Sequence, residues 1–116
     1  KTPETVGMFG AKQFKAMNRS AYLVSTARGG IIDEKALHAA LTDGTLPAAA
    51  LDVFDREPPD PANPLFKLPN LIASPHIAGV TAEAMERMSA EAAKNVLSVF
   101  DGTPRKENAI NPEVFG

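Results

Sequence analysis

The sequence predicts an α/β fold, half of a doubly wound parallel sheet with flanking helices. Three short apolar runs of strand character recur along the 116 residues, and helices or long crossovers separate them. Antiparallel hairpins would need loops of only two to five residues, so these connections favour parallel pairing. The runs are apolar on both faces, which is typical of parallel strands that helices cover on both sides.

The chain opens with a predicted helix and strand. Pro3 suits a first helical position and Glu4 complements the positive helix end, so a helix is expected from about Glu4 to Met17. The polar turn at residues 18–20 then leads into a β-rich apolar run at residues 21–26. We expect the first strand there.

A second helix and strand follow. Asp33 stands where a helix cap belongs, before a helix predicted at about Glu34 to Thr42. Leu37, Ala40 and Leu41 fall on one face of that helix, and the second strand is expected at Ala48 to Phe54. The loop 55–64 carries four prolines and is predicted to lack regular structure, because proline has no amide donor.

The last strand is predicted at residues 70–74 and the longest helix at about Thr81 to Asp101, with Gly102 to end it. The polar tail, residues 103–116, contains two prolines. One apolar stripe runs along the long helix, formed by Met85, Met88, Ala92, Val96 and Val99.

Composition excludes several kinds of function. The net charge of −2 and the mixed signs provide no basic surface for nucleic acid or an anionic membrane. Without cysteine, disulfides, thiolate catalysis and zinc-thiolate sites are excluded, and we predict no metal site. No run approaches the roughly 20 apolar residues of a membrane span and the start lacks a signal peptide core, so a cytoplasmic location is expected.

Each predicted strand is followed by one candidate for chemistry. In open parallel sheets, ligands bind beyond the carboxyl ends of the strands, where Arg28, Glu57 and His76 lie. A guanidinium can hold a carboxylate in a bidentate pair, and a histidine is the usual general acid or base. A carboxylate beside the imidazole would fix its tautomer, and on composition Asp55 is as plausible as Glu57 for that role. The second histidine, His38, is assigned no role.

Three segments then carry a resemblance to a known family. They are Ser25 to Asp33 (STARGGIID), Ala50 to Phe54 (ALDVF) with Glu57-Pro58, and Ser74 to Gly79 (SPHIAG). In their order and separation they resemble the signature segments of the D-isomer-specific 2-hydroxyacid dehydrogenases. Ser25 stands where that family very often has Asn, and residues 18–20 replace its usual turn. Both changes affect strand packing more than the site.

The resemblance implies a Rossmann-type cofactor domain and specific roles. Arg28 would bind the substrate carboxylate and carbonyl, His76 would exchange the proton, and Glu57 would be the partner of His76. Asp52 would bind the nicotinamide carboxamide of NAD, with NADP not excluded. The remaining cofactor contacts would come from Thr26, Ala27, Arg28, His76, Ile77, Ala78 and Gly79. The substrate would be a small 2-hydroxy or 2-oxo acid, and the parent protein would be a homodimer.

The sequence also limits the expected activity. It contains no G-x-G-x-x-G loop for the pyrophosphate, so residues 1–102 are predicted to be the carboxy-terminal half of a dinucleotide-binding domain. Residues 103–116 would lead toward an absent substrate domain, and the fragment would be inactive alone. A non-catalytic corepressor-like or cofactor-sensing module on the same fold is the alternative.

Overall fold

In the computed structural model, which describes residues 1–115, three parallel strands form one sheet in the order β1-β2-β3. The predicted parallel α/β architecture is therefore confirmed. Gly116, the last residue of the predicted tail, lies outside the described residues. The strands are β1 (Leu23–Ser25), β2 (Ala49–Leu51) and β3 (Leu71–Ala73), and the α-helices are α1 (Ala11–Ala16), α2 (Glu34–Thr42) and α3 (Ala82–Phe100).

The chain divides into two compact units, residues 1–78 and 79–116. The first contains the sheet, α1, α2 and a 3-10 turn at Pro64–Lys67. The second contains α3 and two 3-10 turns, at Lys106–Asn108 and Pro112–Phe115. None of the helices in the described part of the chain has the length and apolar character needed to cross a membrane.

Helix α2 begins directly after its predicted cap, and α3 begins one residue after its predicted start. The Asp33 side chain accepts hydrogen bonds from the amides of Lys35 and Ala36 at 3.0 Å, and the Thr81 hydroxyl accepts one from Ala84 at 3.1 Å. These bonds satisfy amides that a helix start leaves without a partner. Both predicted helices are confirmed, within one residue at each end.

The predicted helix from Glu4 to Met17 is wrong in its first half. A 3-10 turn occupies Pro3–Thr5, residues 6–7 form a second turn, and α1 begins only at Ala11. Gly7 has a left-handed φ of 65° and its amide donates to the carbonyl of Gly30 at 2.7 Å. Gly7 and Phe9 are thus bonded to residues 30–33 instead of to a helical turn, because long-range partners replaced the local helical ones.

The core lies on one face of the sheet. Ala49 and Leu51 are buried, whereas Val24 and Ile72, which share the other face, are 70% and 72% exposed. Only one face of the sheet therefore carries packed helices within residues 1–78, which differs from the expected cover on both. The buried core cluster consists of Phe14, Ile32, Leu37, Ala40, Leu41, Leu46, Ala49, Leu51, Phe54 and Leu65.

Candidate active site

Parallel pairing brings the carboxyl ends of the three strands to one rim. The ladder continues one step beyond the strands, since the Asp52 amide donates to the Ser25 carbonyl and the Ser74 amide to the Leu51 carbonyl, both at 2.9 Å. The chain leaves this rim in three loops, which carry Arg28, Glu57 and His76.

Glu57 and His76 form a hydrogen-bonded pair. Nδ1 of His76 lies 2.8 Å from Oε2 of Glu57, and Oε1 of Glu57 accepts the Phe54 amide at 3.0 Å. A carboxylate can only accept, so Nδ1 carries the proton and donates it. Nε2 of the imidazole makes no hydrogen bond to any of the described residues and is left to exchange a proton with a bound molecule.

The surroundings of Glu57 keep it ionised. The hydrogen bond from His76 lowers the pKa of the Glu57 carboxyl, and the Phe54 amide and the charges of His76 and Arg28 act in the same direction against partial burial. The side chains of His76 and Glu57 are 44% and 37% exposed, so the pair is open to solvent and to ligand. A charged acceptor thus holds the imidazole in one tautomer and can stabilise its protonated form.

Asp55, the alternative acid, does not take this position. Its amide donates to Oε1 of Glu34 at 2.6 Å. Burial and the Glu34 carboxylate raise the pKa of the Asp55 carboxyl. The structure therefore places Glu57, and not Asp55, against the imidazole.

Arg28 lies near Glu57, close enough for its charge to lower the pKa of the Glu57 carboxyl. Its Nη1 donates to the carbonyl of Ala27 at 2.8 Å, and the rest of its guanidinium is exposed. Arg28 and Glu57 both line a shallow cleft of about 210 Å³. Gly29 makes this approach possible, because a Cβ there would overlap the backbone carbonyl of Phe54. The glycine thus serves close packing between two loops of the rim.

A larger cleft of about 460 Å³ opens beside the pair. Its walls include the rings of Phe54 and Phe66, which pack edge to face with centroids 5.2 Å apart. Three prolines and one alanine also line the cleft, and Glu57 and His76 provide polar groups. An apolar cleft lined by a few polar groups suits a flat heteroaromatic ring or a small organic acid.

Asp52 directly follows β2 and is 4% exposed. Its carboxylate accepts the hydroxyl of Ser74 at 2.5 Å and the amides of Ile77 and Ala78 at 3.0 and 2.9 Å. The Ser74 hydroxyl is the largest cause of a lowered pKa at Asp52, with the two amides adding to it. Sequence reasoning assigned Asp52 to a cofactor and gave Ser74 no role. The signal for Ser74 was its place one residue after β3, beside a strand that ends in an acid.

Four of the other predicted cofactor residues border the same rim. Thr26 and Ala27 are exposed directly after β1, and Ile77 and Ala78 are exposed directly after His76. Gly79 is the first residue of the second unit. Among the residues that the structure describes, no group of three or more histidine or acidic side chains could hold a metal ion.

Residues 1–78 match the family model described as D-isomer specific 2-hydroxyacid dehydrogenase, NAD binding domain. The match ends at the same residue as the first compact unit.

Among curated proteins, the chain is 46% identical over 114 residues to glyoxylate/hydroxypyruvate reductase B of Yersinia enterocolitica, covering 98% of this chain and 35% of the relative. It is 44% identical over 111 residues to D-3-phosphoglycerate dehydrogenase of Archaeoglobus fulgidus, covering 96% of this chain and 21% of the relative. The chain thus spans between about a fifth and a third of the length of these relatives.

Solved structures show the same fold. A D-isomer specific 2-hydroxyacid dehydrogenase from Lactobacillus delbrueckii ssp. bulgaricus, in its NAD complex, superposes with a TM-score of 0.77 at 32% identity, covering 90% of this chain and 36% of that one. The NADPH-dependent glyoxylate/hydroxypyruvate reductase of Sinorhizobium meliloti, in complex with NADP and sulfate, gives 0.76 at 28% identity, covering 90% and 34%.

Proposed function

Because the chain belongs to the D-isomer specific 2-hydroxyacid dehydrogenase family, we propose that it contributes the catalytic residues of an enzyme that transfers a hydride between NAD and a D-2-hydroxy acid. One observation carries the proposal most directly. The imidazole of His76 is bonded through Nδ1 to Glu57, at the rim where Arg28 also lies, and its Nε2 faces no protein partner in residues 1–115.

Each side chain has a role in the proposed reaction. When bound, the nicotinamide supplies the hydride acceptor or donor. His76 takes the hydroxyl proton at Nε2 during oxidation and returns it during reduction. Glu57 holds the proton on Nδ1 and stabilises the imidazolium that forms. The Arg28 guanidinium is exposed and suited to pair with the substrate carboxylate.

The residues fit a nicotinamide ring at this place. The 460 Å³ cleft has apolar walls of Phe54, Phe66 and prolines, and Glu57 and His76 also line it. Thr26, Ala27, Ile77 and Ala78 are exposed along the same rim and would line that end of the cofactor. The proposed cofactor is NAD, with NADP not excluded, since solved relatives contain one or the other.

Further proposals concern the whole protein. We propose that residues 1–102 belong to the carboxy-terminal half of a dinucleotide-binding domain and that residues 103–116 lead toward a substrate domain. The names of the curated relatives favour glyoxylate, hydroxypyruvate or 3-phosphoglycerate as substrate. A homodimer rests on the resemblance of the three motifs. A cytoplasmic location rests on the lack of a signal peptide core at the start of the sequence, and the mixed charges, which provide no basic surface, argue against nucleic acid or an anionic membrane as partner.

Steady-state kinetics on the full-length gene product test the function. His76→Ala should lower kcat on the order of 10²- to 10⁴-fold, because general acid and base catalysis contributes that much. Arg28→Ala should also raise KM, because it removes the proposed carboxylate anchor, and Glu57→Ala should lower kcat through His76.

His38→Ala is the matched control, since it removes the other histidine, which lies in α2. The 116-residue chain by itself serves as a negative control and should show no turnover. A rate for His76→Ala within a factor of a few of the parent would remove the catalytic role.

A further inference from the structure

His76 has a backbone conformation that needs support. Its φ is 56°, in the left-handed region, and among the described residues every other positive φ belongs to a glycine. A side chain with a Cβ enters this region rarely and stays there only where surrounding contacts enforce it. The residue proposed to exchange the proton therefore has a backbone conformation that depends on contacts with its surroundings.

The contacts on both sides of His76 lead to one carboxylate. The two residues that follow it, Ile77 and Ala78, donate their amides to Asp52 Oδ1 and Oδ2 at 3.0 and 2.9 Å. Two residues before it, Ser74 donates its hydroxyl to Oδ1 of the same carboxylate at 2.5 Å. The loop that carries the imidazole is thus tied at both ends to the first residue after β2.

Asp52 itself is fixed. Its amide donates to the Ser25 carbonyl at 2.9 Å, which joins it to β1, and its side chain is 4% exposed. Water cannot readily replace contacts at such a buried group, so a lost donor stays lost. With three donors distributed over two oxygens, the carboxylate has one orientation that satisfies all of them.

We infer that Asp52 and Ser74 are positioning residues, which hold the His76 backbone left-handed so that Nδ1 of its imidazole meets Glu57. The inference rests on the proposed function only for its consequence in catalysis. It also gives Asp52 a role within the protein, besides the cofactor contact that the resemblance implies. Neither side chain needs to touch substrate, since both act through His76.

The experiment measures the pKa of the Glu57 carboxyl by NMR in the full-length gene product, labelled with ¹³C at glutamate side chains. The Glu57→Gln variant identifies the resonance of Glu57. The charged groups that act on Glu57 are His76 and Arg28, and the bond from His76 is the largest cause of its lowered pKa. Ser74→Ala should return the pKa toward the ordinary glutamate value, because the imidazole would no longer be held against the carboxylate. kcat should fall on the order of 10- to 100-fold, as displacement of a reacting group does.

A second pair of variants separates the hydroxyl from the shape of the side chain. Ser74→Thr and Ser74→Val are nearly isosteric, and only threonine keeps the donor to Asp52. The threonine variant should keep the low Glu57 pKa and kcat within a factor of a few, and the valine variant should lose both. Asp52→Asn should also lose the low Glu57 pKa, as Ser74→Val does, because a side-chain amide cannot accept hydrogen bonds from all three donors.

The outcomes distinguish the two proposals. An unchanged Glu57 pKa in the alanine and valine variants overturns the positioning role, whatever the rates are. If the parent has no dehydrogenase activity but its Glu57 pKa still depends on the Ser74 hydroxyl, the proposed function fails and the positioning role stands. If Ser74→Ala prevents folding, the Glu57 pKa in Ser74→Thr is compared with that in Ser74→Val. Equal values in these two variants overturn the positioning role.

Discussion

Glu57 divides its two carboxylate oxygens between a backbone amide and an imidazole, and this division fixes the ring. The lowered pKa of the Glu57 carboxyl makes the stability of the folded state depend on pH. A carboxyl whose pKa falls on folding stabilises the native state above its unfolded pKa, and that contribution is lost as the pH drops through the lowered value. The pair should therefore be intact at neutral pH and open only in acid.

Gly29 gives a prediction at the residue scale. Gly29→Ala should destabilise the protein by about 1–3 kcal/mol or more, because the new Cβ would overlap the Phe54 carbonyl and backbone must move to admit it. Denaturant unfolding of the 116-residue chain measures the effect. Gly79→Ala is the control, since a Cβ there meets no atom within 4 Å. Equal midpoints for the two variants would show that the loops of the rim do not pack as described.

Some of the site could be predicted from residues alone. Arg28, Glu57 and His76 each follow a predicted strand, and parallel pairing was enough to bring them to one rim. The choice between Glu57 and Asp55 could not be made without the family resemblance. Both residues lie in an irregular loop, where no periodicity of the sequence predicts the direction of a side chain. The role of Ser74 depends on a contact between loops 22 residues apart, which no local pattern encodes.

At the scale of elements, prediction succeeded where the signals were local. Asp33 and Thr81 fix the starts of α2 and α3 through their own neighbours. The strands were also found, but as three residues each instead of five to seven. The first helix was wrong because hydrogen bonds from Gly7 and Phe9 to the segment after β1 outweigh local helical bonds. Such competition is decided by residues distant in sequence.

The two faces of the sheet should respond differently to truncation. Leu51→Ala in β2 should cost about 2–5 kcal/mol, because Leu51 is 2% exposed and its loss leaves a cavity. Ile72→Ala in β3 should cost less than about 1 kcal/mol, because that side chain is 72% exposed. Denaturant unfolding of both variants in the 116-residue chain checks this. A large loss for Ile72→Ala would mean that its face of the sheet is covered.

Helix α3 is joined to the tail by an ion-pair network. Glu91 accepts Lys94 at 2.7 Å and Arg105 at 2.6 Å, and these bonds lower the pKa of Glu91 to about 2. Tail protection should therefore be full above the ordinary value of 4.5 and be lost as the pH falls toward about 2. Hydrogen exchange at the amides of residues 105–109, corrected for intrinsic rates, measures it.

Substitution at Glu91 isolates this network. Glu91→Gln should lower the protection of residues 105–109 at neutral pH and abolish its acid dependence. Glu86→Gln removes the same charge from the same helix and should leave protection unchanged. If the two variants behaved alike, helix charge in general, and not this contact, would hold the tail.

On the scale of the whole molecule, the sequence predicted the class of architecture and the rim where the candidate residues lie. The family match covers residues 1–78, the unit that contains the sheet and the Glu57–His76 pair. The two compact units divide between Ala78 and Gly79. The boundary at residue 102 concerns the dinucleotide-binding domain of the parent protein and stays a prediction. Periodicity finds elements, whereas a unit is defined by contacts that periodicity does not contain.

The central claim is that Glu57 acts through His76 in proton transfer. A double-mutant cycle of His76→Gln and Glu57→Gln, measured as kcat/KM of the full-length gene product, tests it directly. Residues that act as one unit are strongly non-additive, so Glu57→Gln should cost little once His76 is replaced. If the two losses instead multiply, each side chain acts independently and the proposed pair does not operate in catalysis.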